Sequence, residues 1–286
     1  MITTIIVPIS LTTDDHQVIR YAVSLAESLN LRILFVHPYQ LPQTAHYAAG
    51  ADGIATYMPE RETAEELEIR NDEVRKLLAD VPRLDRVVNE WKVQEGTVSA
   101  VVEDTVENVT EEEKSRPLVV MGTHGASGVN ELFGTIAEKV TRACDCPVLV
   151  IPQTSDYKPI EKVCLAVDED SASQKIDYSL LINILNAYEA RLLAIHVHHN
   201  DEDLEKTHEA IFNRLEKAIG ESVVSKSLHT ILYDDAEQGI DQFMHQHDVD
   251  LLVLIFREHG FIKRLFNPGV RTKMVYHSDT PLLVLK

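Results

Sequence analysis

Arg32-Ile33-Leu34-Phe35-Val36-His37 and Arg191-Leu192-Leu193-Ala194-Ile195-His196 are one pattern written twice, down to the flanking arginine and histidine. Each is a short apolar run of strand length, and each follows a similar arrangement. Ile5-Ile6-Val7-Pro8-Ile9 precedes the first copy and Val163-Cys164-Leu165-Ala166-Val167 the second. An amphipathic helix lies between the two runs in each half, carrying Val18, Ala22, Leu25 and Leu29 in the first and Leu181, Ile184, Leu185 and Tyr188 in the second. The repeat continues to the end of each half. Leu118-Val119-Val120-Met121 answers Leu251-Leu252-Val253-Leu254, and Pro147-Val148-Leu149-Val150-Ile151 answers Pro281-Leu282-Leu283-Val284-Leu285.

Strands that are apolar throughout, alternating with helices, are those of a parallel sheet covered on both faces. The expected fold is α/β: two tandem doubly wound, parallel, five-stranded sheets with helices on both faces. A strand over Arg86–Val93 and helical stripes through Leu67, Val74 and Leu78, and through Val98, Val101, Val102, Thr105 and Val109, complete the first half. The polar stretch Pro152–Pro159 separates the halves, placing a first domain at residues 1–155 and a second at 156–286. The apolar edges of Val148–Ile151 and Leu282–Leu285 need cover, so the halves are expected to face each other through their last strands as an intramolecular pseudo-dimer. Residues 38 to 59, with Gly50, Gly53 and three prolines, read as a long loop, either a lid or a plain excursion.

The 286 residues carry a formal charge of −19, which the phosphate backbone would repel, so nucleic acid is not an expected partner. No run approaches the roughly 20 apolar residues of a membrane span, and no basic segment precedes an apolar one at the start, so neither a membrane nor a leader peptide is expected. Three cysteines make no disulfide framework, and the cytoplasm is the expected compartment.

The chemistry concentrates in Met121-Gly122-Thr123-His124-Gly125-Ala126-Ser127-Gly128-Val129-Asn130-Glu131-Leu132-Phe133-Gly134-Thr135, between a buried strand and a helix. Glycines there let backbone N–H groups approach an anion, and the helix start adds its positive dipole end. Thr135 with Glu138 also reads as a capping box, and Ser10 and Asp168, at the ends of the first strand of each half, also read as helix caps. His196 and His198 read as exposed strand-end histidines, and Cys144-x-Cys146 as packing residues. No Ser-His-Asp order or helical His-Glu-x-x-His stands out, so no catalytic residue and no metal ligand is expected.

Val120-Met121-Gly122-Thr123-His124-Gly125, then Gly134-Thr135, then Cys146-Pro147-Val148-Leu149-Val150-Ile151, resembles the universal stress protein family, in its tandem two-domain form. Its ATP-binding members carry Gly-x-x-Gly, nine residues, then Gly-Ser/Thr, with an Asp ending the first strand. The resemblance implies an adenine nucleotide, ATP or AMP, with magnesium as a companion of ATP, bound by Pro8, Ile9, Ser10, Val36, Met121, Gly122, Gly125, Gly134, Thr135 and Ile136, with Asp168 as the second half's acid. It implies a stress-responsive regulator with an unidentified protein client, rather than an enzyme, and a homodimer as a further assembly. Eight residues separate Gly125 from Gly134, one fewer than the family pattern, and Ser10 stands in the place of the acid, so Ser10→Asp is expected to tighten binding. In the second half bulky Phe256 is read opposite the first glycine; Arg257, Lys263, Arg264 and Arg271 offer charge, but this half is a degenerate copy. The alternatives are a nucleotide-free adaptor or small-metabolite binder and, less favoured, a nucleotide hydrolase.

Overall fold

A computed structural model describes residues 2–12, 14–40, 46–49, 55–58, 64–123, 135–155, 157–167, 176–198, 204–256 and 279–286. The first half runs β1 (Thr4–Pro8), α1 (Asp15–Leu29), β2 (Arg32–Tyr39), β3 (His46–Ala49), β4 (Ala55–Met58), α2 (Ala64–Ala79), β5 (Asn89–Glu95), α3 (Val98–Glu113), β6 (Leu118–Gly122), α4 (Thr135–Ala143) and β7 (Val148–Ile151). The second runs β8 (Lys162–Ala166), α5 (Ser179–Ala187), β9 (Arg191–His198), α6 (Leu204–Ile219), β10 (Lys226–Leu232), α7 (Ala236–His247), β11 (Leu251–Ile255) and β12 (Leu282–Leu285).

Each half contributes five parallel strands, in the orders β5-β2-β1-β6-β7 and β10-β9-β8-β11-β12, and the two sheets join into one of ten. The seam is antiparallel: Val148, Leu149 and Val150 of β7 stand opposite Val284, Leu283 and Leu282 of β12. The central strands are apolar because both faces are covered, and every residue of β6, β7, β11 and β12 except Gly122 is buried. The outermost strands, β5 and β10, are half-exposed, which is why their sequences are mixed in polarity.

One apolar cluster runs under both halves on the face of α1 and α5, with Ile5, Leu25 and Leu149 continuous with Val163, Leu181 and Leu283. The opposite face holds two separate clusters, one in each half. Tyr21 meets Tyr157 edge-on at 5.2 Å, and Tyr157 reaches Tyr188 through their hydroxyls at 3.3 Å, so aromatic groups close the α1 side of the seam. Gln17 of α1 donates to the carbonyls of Pro152 and Ser155, pinning the connecting segment.

Three expectations differ from the structure. The third strand of the first half starts at Asn89, not Arg86, because Leu84–Arg86 closes a 3-10 turn entered by Arg83 at φ 67°. Asn89 holds that turn through the carbonyls of Leu84 and Val87. The stretch from 38 to 59 is not all loop: β2 continues through Pro38, and β3 and β4 form an antiparallel hairpin. Pro38 is tolerated because β1 ends at the register of Val36, leaving the missing N–H opposite no ladder partner there. Leu67 is 38% exposed, while Val74 and Leu78 are buried, so only the second part of α2 is packed.

Candidate functional site

From β1 the chain moves outward to β2 and β5, then returns across β1 to β6 and β7. The carboxyl ends of β1 and β6 therefore flank a topological switch point, where an open α/β sheet leaves a crevice. Pro8, Ile9 and Ser10 leave β1 there, Val36 lies in the adjacent strand, and Met121 and Gly122 end β6. Pro8 is registered with Val36, and Ile9 donates its N–H to the Val36 carbonyl at 2.9 Å. Gly122 is registered with Ile151, and Thr123 beyond it donates to the Ile151 carbonyl at 3.2 Å.

Val36 and Met121 belong to one apolar cluster with residues of α3, β6 and β7, and Ile136, the second residue of α4, is half-buried against that cluster. Thr135 is the first residue of α4, which brings that helix start to the same end of the sheet. Pro8, Ile9, Ser10, Val36, Met121 and Gly122 thus lie at one end of the sheet, and Thr135 and Ile136 open the helix that follows β6. Gly125, Gly134 and Asp168 lie outside the described residues, as does the Thr135 side chain with its capping box.

The β1–α1 turn is organised by a residue that sequence reading overlooked. Asp15 is 3% exposed, and its Oδ2 accepts from the N–H of Ser10 at 2.8 Å and of Thr12 at 3.0 Å. The Ser10 hydroxyl lies 3.2 Å from Oδ1 and 3.0 Å from Thr12 Oγ1. Ser10 is therefore not the cap of α1; Asp14 immediately precedes the helix without a side-chain cap bond, and Asp15 reaches back to collect the turn. A buried carboxylate is stable there because it accepts from several donors at once. The carboxylate absent from position 10 is present five residues on, turned toward its own turn.

His37, 6% exposed, donates from Nδ1 to the carbonyl of Ile9 at 3.0 Å. A carbonyl only accepts, so the proton is on Nδ1. The second half repeats this: Val167 donates to the Ile195 carbonyl at 2.9 Å and His196 Nδ1 meets the Val167 carbonyl at 3.0 Å. His196 is thus buried at 5% exposure, not an exposed strand end, with its Nδ1 against the carbonyl of Val167, the residue after β8.

Strand register corrects the comparison of the two glycine positions. Leu118 stands beside Ile5 and Leu251 beside Val163, the matching residues of the two first strands. Gly122 pairs with Ile151 and Ile255 with Leu285, the matching residues of the two last strands. Ile255 therefore occupies the place of Gly122, and Phe256 that of Thr123. Either way a bulky side chain stands where the first half leaves backbone open.

Cys144 and Cys146 are buried; their mutual hydrogen bond holds the Cys144 thiol down and pushes Cys146 up, with burial adding to the latter. Burial alone pushes Cys164 up to about 12. Among the described residues no three His, Cys, Asp or Glu side chains gather as a metal site.

Two segments, residues 1–152 and 159–286, each match the model of the universal stress protein family. The chain belongs to that family. Its two matches make it a tandem universal stress protein, as its duplicated strands lead one to expect. A universal stress protein from Archaeoglobus fulgidus DSM 4304 is similar over 99% of this chain and 96% of its own, at 15% identity and a TM-score of 0.66. A functionally unknown protein from Pseudomonas aeruginosa PAO1 is similar over 100% and 92%, at 15% identity and 0.57. These likenesses concern the fold. No curated protein matches the chain.

Proposed function

We propose that this universal stress protein is a non-enzymatic regulator whose first half, residues 1–155, binds one adenine nucleotide, ATP or AMP, at the crevice between β1 and β6. The observation that supports this most is convergence. The ends of β1 and β6 flank the switch point, Val36 and Met121 share the apolar cluster against which Ile136 lies, and α4 starts after β6, a layout that supports an apolar slot for a base and N–H groups for phosphates. Gly125, Gly134 and Thr135 complete the phosphate side of the proposal and magnesium accompanies ATP. The second half, residues 156–286, is a degenerate copy with Asp168 but with Ile255 in place of glycine.

Phosphates held by backbone N–H groups gain affinity but little transition-state stabilisation unless a base or metal carboxylate is positioned. The buried acid of the crevice, Asp15, is already engaged by the donors of its own turn. This favours a reading without turnover. Three free, buried thiols suit a reducing cytoplasm, and no helix among the described residues is long and apolar enough to cross a membrane. Calorimetric titration with ATP and magnesium tests the proposal: wild type should bind a single equivalent and Gly122→Val none. Two equivalent sites, or binding indifferent to Gly122→Val, would overturn it. Phosphate release faster than about 1 per second that Gly122→Val abolishes would make the protein an enzyme.

A further inference from the structure

The end of the second half reaches into the first. Lys286, directly after β12, lays its ammonium 3.8 Å from the centre of the Phe256 ring. The same Nζ donates to the main-chain carbonyl of Thr141, in the last turn of α4. Phe256 is fixed in turn, its N–H donating to the Leu285 carbonyl at 2.8 Å. The antiparallel seam explains the reach: β12 ends where β7 begins, so the residue after β12 arrives beside the end of α4.

The last carbonyls of a helix lack partners within it and form the negative end of its dipole, so a cation there is favourable. Lys286 is held on both sides of the seam, by an aromatic face in its own half and by a helix terminus in the other. Thr141 is fully buried, so its carbonyl has no ready substitute in solvent. A helix of nine residues is short enough to shift as one body, and the other end of α4 is Thr135 with Ile136 half-buried against the apolar cluster that contains Val36 and Met121. A grip on the C-terminal turn therefore sets where the N-terminal turn stands.

We propose that Lys286 is a positioning residue: with Phe256 it lets the second half hold α4 in place, and so sets how tightly the first-half crevice takes the phosphates of a nucleotide. The phosphate consequence rests on the nucleotide reading above; the clamp on α4 does not. Phe256, which stands where the first half has Thr123, has a use in this arrangement.

The test uses the full chain. Lys286→Met keeps the apolar stem and removes the charge, Phe256→Leu removes the ring, and Lys286→Arg keeps the charge. Hydrogen exchange should show the C-terminal amides of α4 exchanging about two- to tenfold faster in the first two variants, the span of a cation at a helix end. Lys286→Arg should stay near wild type, and β7 and β12 should be unchanged. Affinity for ATP should fall by a similar factor while that for adenosine, which has no phosphates, holds. Unchanged α4 exchange in Lys286→Met overturns the clamp. A looser α4 with ATP and adenosine weakened equally, or with ATP unaffected, overturns the link to phosphate. Wild type that binds neither overturns the functional reading and that link together, while exchange in α4 still decides the clamp.

Discussion

Ser10 donates its backbone N–H to the Asp15 carboxylate at 2.8 Å, and its hydroxyl lies 3.2 Å from the other carboxylate oxygen. This contact changes what a substitution at position 10 does. Ser10→Asp, which on motif alone should tighten nucleotide binding, would place a second carboxylate against a buried one, and two like charges that close cannot both be accommodated cheaply. Ser10→Asp alone is expected to weaken the fold and leave nucleotide affinity no better than wild type. Ser10→Asp with Asp15→Asn moves the charge instead of doubling it and should bind ATP more tightly than either single variant. Calorimetry on the three variants, with thermal melts, checks this; tighter binding by Ser10→Asp alone would show that Asp15 does not govern the turn.

His37 makes a second, simpler prediction. Its Nδ1–H satisfies the Ile9 carbonyl at the mouth of the crevice. His37→Phe fills the space but leaves that carbonyl without its donor, at a cost of about 1–3 kcal/mol for a buried polar group left unmade. Because His196 does the same for Val167, His196→Phe should cost a comparable amount. Urea midpoints for both variants test the pairing. A loss confined to His37→Phe would mean that the second-half histidine does not share the role.

Much of the fold was legible because parallel strands buried on both faces have to be apolar end to end; Ile5–Val7 and Val163–Leu165 advertise themselves on composition alone. The hairpin at residues 46–58 does not, since it lies outside the main sheet and follows no apolar run. At the site, Val36, Met121 and Gly122 were legible from motif and strand ends. Asp15 was not: its function depends on a turn that folds Ser10 and Thr12 back over it, and in sequence it is one acid of a pair, Asp14-Asp15. His196 was misread because a polar ring at a strand end looks solvated until the neighbouring carbonyl is seen. Ile255 was legible in principle, since Leu118–Met121 answers Leu251–Leu254 and the next residues are Gly122 and Ile255, but an apolar residue there reads as one more strand position until the registers of two neighbouring strands fix it.

The pH response should come from the other end of the second half. His229 on β10 lies 5.0 Å from Phe243 and 5.5 Å from His247 of α7, ring centre to ring centre. Burial, then the neighbouring His247, Arg191 and His208, holds its pKa below the ordinary histidine value of about 6.5. The unfolded chain therefore takes up the proton first as pH falls. Stability is fully present above about 6.5 and is lost as pH drops through the lowered folded value. Glu113 titrates outside this window: burial works to raise it, but hydrogen bonds from Thr3, Thr4 and Arg32 outweigh that and hold it below the usual carboxylate range. Urea midpoints should fall from pH 7.5 to 5.5, and His229→Gln should shrink the fall. An equal fall in the variant would assign the effect to another group.

The seam carries the last prediction. Residues 1–155 produced alone would expose the β7 edge, where Val148, Leu149 and Val150 otherwise pair with β12, and would open the apolar cluster that α1 shares with α5. An unpaired, flat, apolar edge is an open template for another strand. The partner best matched to it is a second β7, because the seam is antiparallel and joins corresponding strands of two similar halves, so a two-fold arrangement of first halves reproduces it. The isolated half should therefore self-associate, and Leu149→Lys should weaken that association by placing a charge where β7 packs. In the full chain the same substitution should destabilise without altering mass, since the edge is already taken. Sedimentation velocity across a concentration series decides it. An isolated half that stays monomeric at concentrations of about 100 μM, on the order of −5.5 kcal/mol of association free energy, would show that the seam is held by covalent linkage rather than by its own surface.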